Sequence, residues 1–96
     1  MTNGKFNVHQ MPQLSRFYGI IIYLYFKDHN PPHFHAWYGE YKCEISISDL
    51  SIIGGSLPAR ALSLVKEWAS LHKQELTDNW NLAKEGQQFN SIEPLP

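Results

Sequence analysis

The stretch PPHFHAWYGEYKCEISI, residues 31–47, decides how this chain folds. Gly39-Glu40 divides it into two halves of strand character, and a two-residue loop that opens with glycine suits a type II′ β-turn. The loop sets an antiparallel register: Tyr38 faces Tyr41, Trp37 faces Lys42, Ala36 faces Cys43, His35 faces Glu44 and Phe34 faces Ile45. Side chains alternate along a strand, so parity sorts these residues onto two faces. Phe34, Ala36, Tyr38, Tyr41, Cys43, Ile45 and Ile47 share an apolar face, whereas His33, His35, Trp37, Lys42, Glu44 and Ser46 share a polar one.

Upstream, FYGIIIYLYF (residues 17–26) reads as a single strand that is apolar on both faces, which places it inside the sheet. Ile20, Ile22, Leu24 and Phe26 belong to the core face, and Phe17, Ile21, Tyr23 and Tyr25 to the other. KDHNPP ends it, because paired prolines cannot sit inside a ladder. Downstream, Ser51–Ile53 suggests a short fourth strand, and Pro58 suits the first turn of a helix. Leu62, Val65, Ala69, His72, Leu76, Trp80 and Ala83 then recur at three–four spacing, the stripe of a helix facing a core. Thr77-Asp78-Asn79 is where that helix would kink or split, so one long helix and a helix pair both fit. The expected fold is α+β: a small antiparallel β-meander of three strands, with a short fourth at its edge, packed against a long C-terminal helix or helix pair. Residues 1–10 read as a flexible extension, residues 11–96 as one domain, and the segment from Gln87 as a loose covering.

Composition narrows the function classes. The chain has 96 residues, 43% of them hydrophobic, and a formal net charge of −1. That charge excludes broad electrostatic binding of nucleic acid, though not an RNA contact at one site. The one cysteine, Cys43, cannot staple the domain and reads as a small core residue, which makes the cytoplasm the expected compartment. No apolar run approaches the length of a membrane span. Trp68 and Trp80 read as core anchors, and His72 as a partly buried histidine with a hydrogen-bond partner.

With the first strand antiparallel to the second, Tyr25 and Glu44 flank His35, and Tyr23, Trp37 and Lys42 form the next row. Three kinds of chemistry fit these residues. A metal-independent endoribonuclease would use His35 as acid or base, Glu44 to orient it, Lys42 on the phosphate and Tyr25 as a hydrogen-bond donor. A binding surface would use His33, His35, Trp37, Lys42 and Tyr23, with the indole as a flat platform. A metal site would use His33 and His35, which point the same way, with His29 swinging in from the loop; Asp28 is the one acid nearby. An ordinary solvated sheet face carries the same alternation and remains open as a fourth reading. No cofactor beyond such a metal is called for.

MPQLSRFYGIIIYLYF (residues 11–26), HNPPHFHA (29–36), YGEYK (38–42), LPARALSLVKEWASLH (57–72) and ELTDNWNLAKEGQ (75–87) resemble a bacterial family, domain of unknown function 4160. Pro31, Pro32, His33, His35, Lys42 and Trp80 match its pattern, and His29 matches one branch of it. The resemblance implies a small hairpin-plus-helix protein without an established activity, and places residues 1–10 outside the family domain. It also implies a gene often beside a second small family of unknown function, 2442, in a toxin–antitoxin-like arrangement. The function it implies is a non-enzymatic interaction module with a small protein partner encoded nearby. RNA and a second copy of the chain, joined through the first-strand edge or the tyrosine-rich face, are further expected partners.

Overall fold

A computed structural model of the protein describes residues 12–96. The expected extension at residues 1–10 lies outside the described residues. Five strands, β1 (Gln13–Phe17), β2 (Ile20–Tyr23), β3 (His33–Tyr38), β4 (Tyr41–Ser46) and β5 (Ile52–Gly55), form one antiparallel sheet in chain order. Two helices follow, α1 (Ala59–Leu71) and α2 (Lys73–Lys84). The fold is α+β, with more strands than the three or four expected.

The β3–β4 hairpin has the expected register from Tyr38↔Tyr41 to Phe34↔Ile45, and His33↔Ser46 extends it. Gly39 carries a positive φ of 58° and Glu40 does not, as a type II′ turn requires. Tyr38 and Tyr41, assigned to the apolar face, project past the end of the core and are exposed.

The single strand expected over residues 17–26 is instead two. Tyr18 and Gly19 both adopt positive φ, 49° and 81°, and turn the chain between β1 and β2, with Phe17 opposite Ile20. The turn inverts the parity before it, so Phe17 is buried in the core rather than on the opposite face. A tyrosine in the left-handed region is uncommon, which is why an unbroken apolar run conceals this turn.

Ile20, Ile22, Leu24, Phe34, Ala36, Cys43 and Ile45 bury one face of the sheet under the helices, as parity requires. Trp68 of α1 is fully buried at the centre of this layer, 5.3 Å from the Phe17 ring and 5.9 Å from Phe34 between centroids. Burial pushes the Cys43 thiol above its ordinary pKa, with the charge of Glu44 adding to the effect. The helix breaks at His72, with φ −127° and ψ 26°, and not at Thr77-Asp78-Asn79. The His72 Nδ1 is 2.6 Å from Glu75 Oε1 in the first turn of α2. Thr77, Asp78 and Asn79 all lie within α2, where Thr77 Oγ1 donates to the Lys73 carbonyl and Gln74 donates to Asp78.

Asn79 has a different task. Its amide nitrogen donates to the Asn90 carbonyl at 2.7 Å, and its oxygen accepts from the Asn90 amide at 3.1 Å. This clamp seats a tail that is not loose: Ile92 and Leu95 are buried, the Ile92 amide donates to the Leu14 carbonyl, and Trp68 Nε1 donates to the Glu93 carbonyl. The tail thus bonds to β1, the edge strand that itself covers β2, where most of the expected first strand lies. Asn79→Ala removes both bonds from a buried position and leaves the Asn90 groups without partners, a loss of about 2–3 kcal/mol. Limited proteolysis should then cut the chain between Gln87 and Pro96 well before it cuts the wild type.

Candidate functional site

β3 starts immediately after Pro31-Pro32, and parity puts His33 and His35 on the face opposite Phe34 and Ala36. A solvated face would leave both rings wet, yet His33 is 1% exposed and His35 is also buried. The cause is the β2–β3 loop, which folds back over them. The Lys27 amide donates to the Ala83 carbonyl of α2 at 2.9 Å, and the Pro32 carbonyl accepts from Ile47 at 3.0 Å, so both ends of the loop are pinned. The Trp80 ring, 5.4 Å from that of His33, closes the remaining side.

The pinned loop delivers Asp28. Its Oδ2 lies 3.0 Å from His33 Nε2 and 3.2 Å from His35 Nε2, and its Oδ1 accepts from the His29 amide at 2.9 Å. One donor atom from each of Asp28, His33 and His35 falls within 4.8 Å of the other two. Ligands about 2.1 Å from a tetrahedral zinc ion stand about 3.4 Å apart; the two Asp28–histidine distances are close to that, and an ion would draw the three donors together from their 4.8 Å span.

The protons sharpen the picture. His33 Nδ1 is 2.7 Å from the Pro31 carbonyl, which can only accept, so Nδ1 carries the proton. In the neutral ring Nε2 is then a bare lone pair. It is buried without a hydrogen-bond partner, because the Asp28 oxygen 3.0 Å away is itself an acceptor. An orphaned buried acceptor costs about 1–3 kcal/mol, a cost that a cation or a proton removes. An imidazole whose outer nitrogen is held by a carbonyl while its inner nitrogen faces a carboxylate is the arrangement found in metal-ligating histidines.

Burial is the largest influence on both Asp28 and His35, and it acts oppositely on the resulting balance. Burial would raise the Asp28 carboxyl, but the His35 hydrogen bond, the His29 amide and the charges of His33 and His35 outweigh it and hold the pKa below its ordinary value. Burial lowers the His35 pKa and prevails over the Asp28 hydrogen bond that would raise it. Both shifts leave the native state holding fewer protons than the unfolded chain, so stability falls on acidification. The metal-free protein should lose stability first as pH drops below about 6.5, through His35, and again below about 3.9, through Asp28. Thermal melts in chelator across this range test it: His35→Gln should remove the upper step.

The other expected site residues fall around this centre. Tyr25 stacks on His35 with centroids 4.0 Å apart and planes 11° from parallel. The backbone partner of His35 in β2 is Tyr23, so Tyr25 reaches it diagonally from beyond the strand end. Burial, then the charges of Asp28 and Glu44, raises the Tyr25 pKa and keeps its phenol protonated. Trp37 is no open platform, since Tyr23 packs on it at 4.7 Å and Lys42 Nζ sits 4.2 Å from its centroid. Glu44 faces His35 in the register, but His35 bonds Asp28 instead; Glu44 Oε1 lies 4.0 Å from His33 Nε2. His29, expected as a third ligand, has a side chain 84% exposed; its Nδ1 meets the outer oxygen of Asp28 at 3.1 Å and its ring lies 5.8 Å from that of His33, outside the donor cluster. Asp28 stands where His29 was expected, and the readable signal for it is a carboxylate in the same proline-ended loop. Tyr25, His35, Trp37, Lys42, Cys43, Glu44, Gly54 and Gly55 line a cleft of about 300 Å³ beside the centre.

No helix among the described residues is long and apolar enough to cross a membrane. Searches of curated proteins and of solved structures each gave no match. The model of domain of unknown function 4160 (DUF4160) matches residues 19–81, from the β1–β2 turn through the loop, both histidines and Trp80, and the chain belongs to that family.

Proposed function

We propose that this domain binds a divalent transition metal through Asp28, His33 and His35 and presents it to the adjoining cleft. The observation that carries the reading is the buried, unpartnered His33 Nε2, aimed among the other two donors with its tautomer set by the Pro31 carbonyl. Two imidazoles and one carboxylate suit zinc or another borderline ion and leave coordination positions for water or a ligand. The cluster also weakens the metal-independent ribonuclease, because His35, its acid or base, is buried and bonded to Asp28, while Glu44 does not orient it. Zinc added to chelator-treated protein should raise Tm, since an ion bound only by the native state stabilises it. Zinc bound at 100 times its Kd adds about 2.7 kcal/mol, or roughly 10–20 °C for a domain of this size. An unchanged Tm with zinc, cobalt, manganese and ferrous iron alike would sink the proposal.

We keep a protein-binding role beside it on one specific observation. β5 is the edge strand not covered by the C-terminal tail, and its Ile52 and Ile53 are exposed. Bare apolar edges are templates for strand pairing. The partner in this reading is the small protein encoded nearby, in a toxin–antitoxin-like pair. Co-purification of the two chains, lost in Ile53→Lys, supports it; a complex that survives Ile53→Lys, or none at all, excludes this edge.

A further inference from the structure

We infer that the cleft beside Asp28, His33 and His35 is an oxyanion site that the bound metal switches on; this rests on the metal reading above. The sheet builds the cleft from one missing row of side chains. Glu44 pairs with Gly54 and Cys43 with Gly55 across β4 and β5, so β5 leaves a notch where its neighbours carry His35, Trp37, Lys42 and Glu44. A Cβ on Gly54 would meet the Glu44 carboxylate at 3.5 Å, ordinary contact, so glycine there keeps the notch open rather than relieving a clash. At about 300 Å³ the cleft is at the small end of ligand pockets, sized for one small molecule.

Charge decides what enters. Lys42 contributes one positive charge, and Asp28 and Glu44 contribute two negative charges, so the metal-free site carries −1 and repels anions. A divalent ion would turn the same site to +1, next to the cleft that His35 and Lys42 both line. Lys42 makes no ion pair among the described residues, and its ammonium rests on the Trp37 ring at 4.2 Å, where it is held at the cleft wall. Tyr25, protonated and stacked on His35, adds an O–H donor to the same wall. A small anion with its acidic oxygens shared between the ion and Lys42 pairs with both cations and can accept from the Tyr25 hydroxyl, while the Glu44 carboxylate, 44% exposed, keeps its water. Phosphate esters and carboxylates both offer that chemistry.

The test is calorimetric titration of methyl phosphate, and separately of acetate, into protein with and without one equivalent of zinc. Zinc-loaded wild type should bind at least one of them ten-fold or more tightly than zinc-free protein, and the tighter of the two names the class. Lys42→Met should weaken anion binding about ten-fold in the zinc-loaded form. Gly54→Leu, which fills the notch against Glu44, should abolish anion binding while zinc still binds. Zinc binding with no response to either anion overturns this inference alone, as does anion binding that is equal without zinc or unaffected in both variants. Failure of zinc to bind the wild type overturns the metal reading itself.

Discussion

Replacing Trp68 with alanine should lower Tm by about 15–50 °C. The indole is fully buried, touches Phe17, Phe34 and His72, and donates to the Glu93 carbonyl at 2.8 Å. Removing a buried tryptophan costs about 3–5 kcal/mol, and the orphaned tail carbonyl about 1 kcal/mol more. A domain of this length holds only about 5–15 kcal/mol in total, with roughly 4–8 °C per kcal/mol. The loss therefore takes a large share of all the stability there is. Leu71, in the same helix but 64% exposed, is the control: Leu71→Ala should move Tm by no more than a few degrees. Circular dichroism melts of the two variants separate core packing from any general intolerance of α1 to substitution.

Asp28→Asn should reduce zinc affinity by more than about 100-fold, since loss of a ligand exceeds the 10–100-fold typical of groups behind the ligands. Its effect on the metal-free fold should run the other way. An amide nitrogen in the place of Oδ2 has two hydrogens: one donates to the bare Nε2 of His33, and the other donates to Nε2 of His35 once that ring takes its Nδ1–H tautomer, while the amide oxygen still accepts from His29. The orphaned acceptor is thereby satisfied, so the metal-free variant should melt no lower than the wild type at neutral pH. That opposition of signs belongs to a site that gives up stability for binding. Calorimetric zinc titrations and melts of the same two proteins read both quantities. A variant that loses zinc and also unfolds would make Asp28 a structural residue.

The hairpin was legible because three independent signals agreed on it: a glycine-first two-residue turn, alternation on both arms, and matching cross-strand pairs. Its register then placed His35 beside Glu44 and Trp37 beside Lys42 correctly. The β1–β2 turn was not legible, because Tyr18 in a left-handed conformation leaves no trace in an apolar pattern. The helix break fell at His72 rather than in the polar cluster, since Thr77, Asp78 and Asn79 each found bonds that the helix permits. Two histidines of the centre could be read from parity alone. The third member could not, because parity says nothing about a loop. Which of Asp28 and His29 turns inward depends on Lys27 being tied to Ala83 of α2, a contact between residues far apart in sequence. The burial of His33 has the same origin, so a face that reads as solvated holds the driest polar atom of the site.

The most direct test of the metal centre is a long-range proton–nitrogen NMR spectrum of the histidine side chains, recorded as zinc is added to chelator-treated protein. His33 should start with its proton on Nδ1, and one equivalent of zinc should shift its Nε2 resonance and that of His35 while leaving His29 and His72 in place. A proton on His33 Nε2 at the outset, or spectra that one equivalent of zinc does not change, would contradict the account.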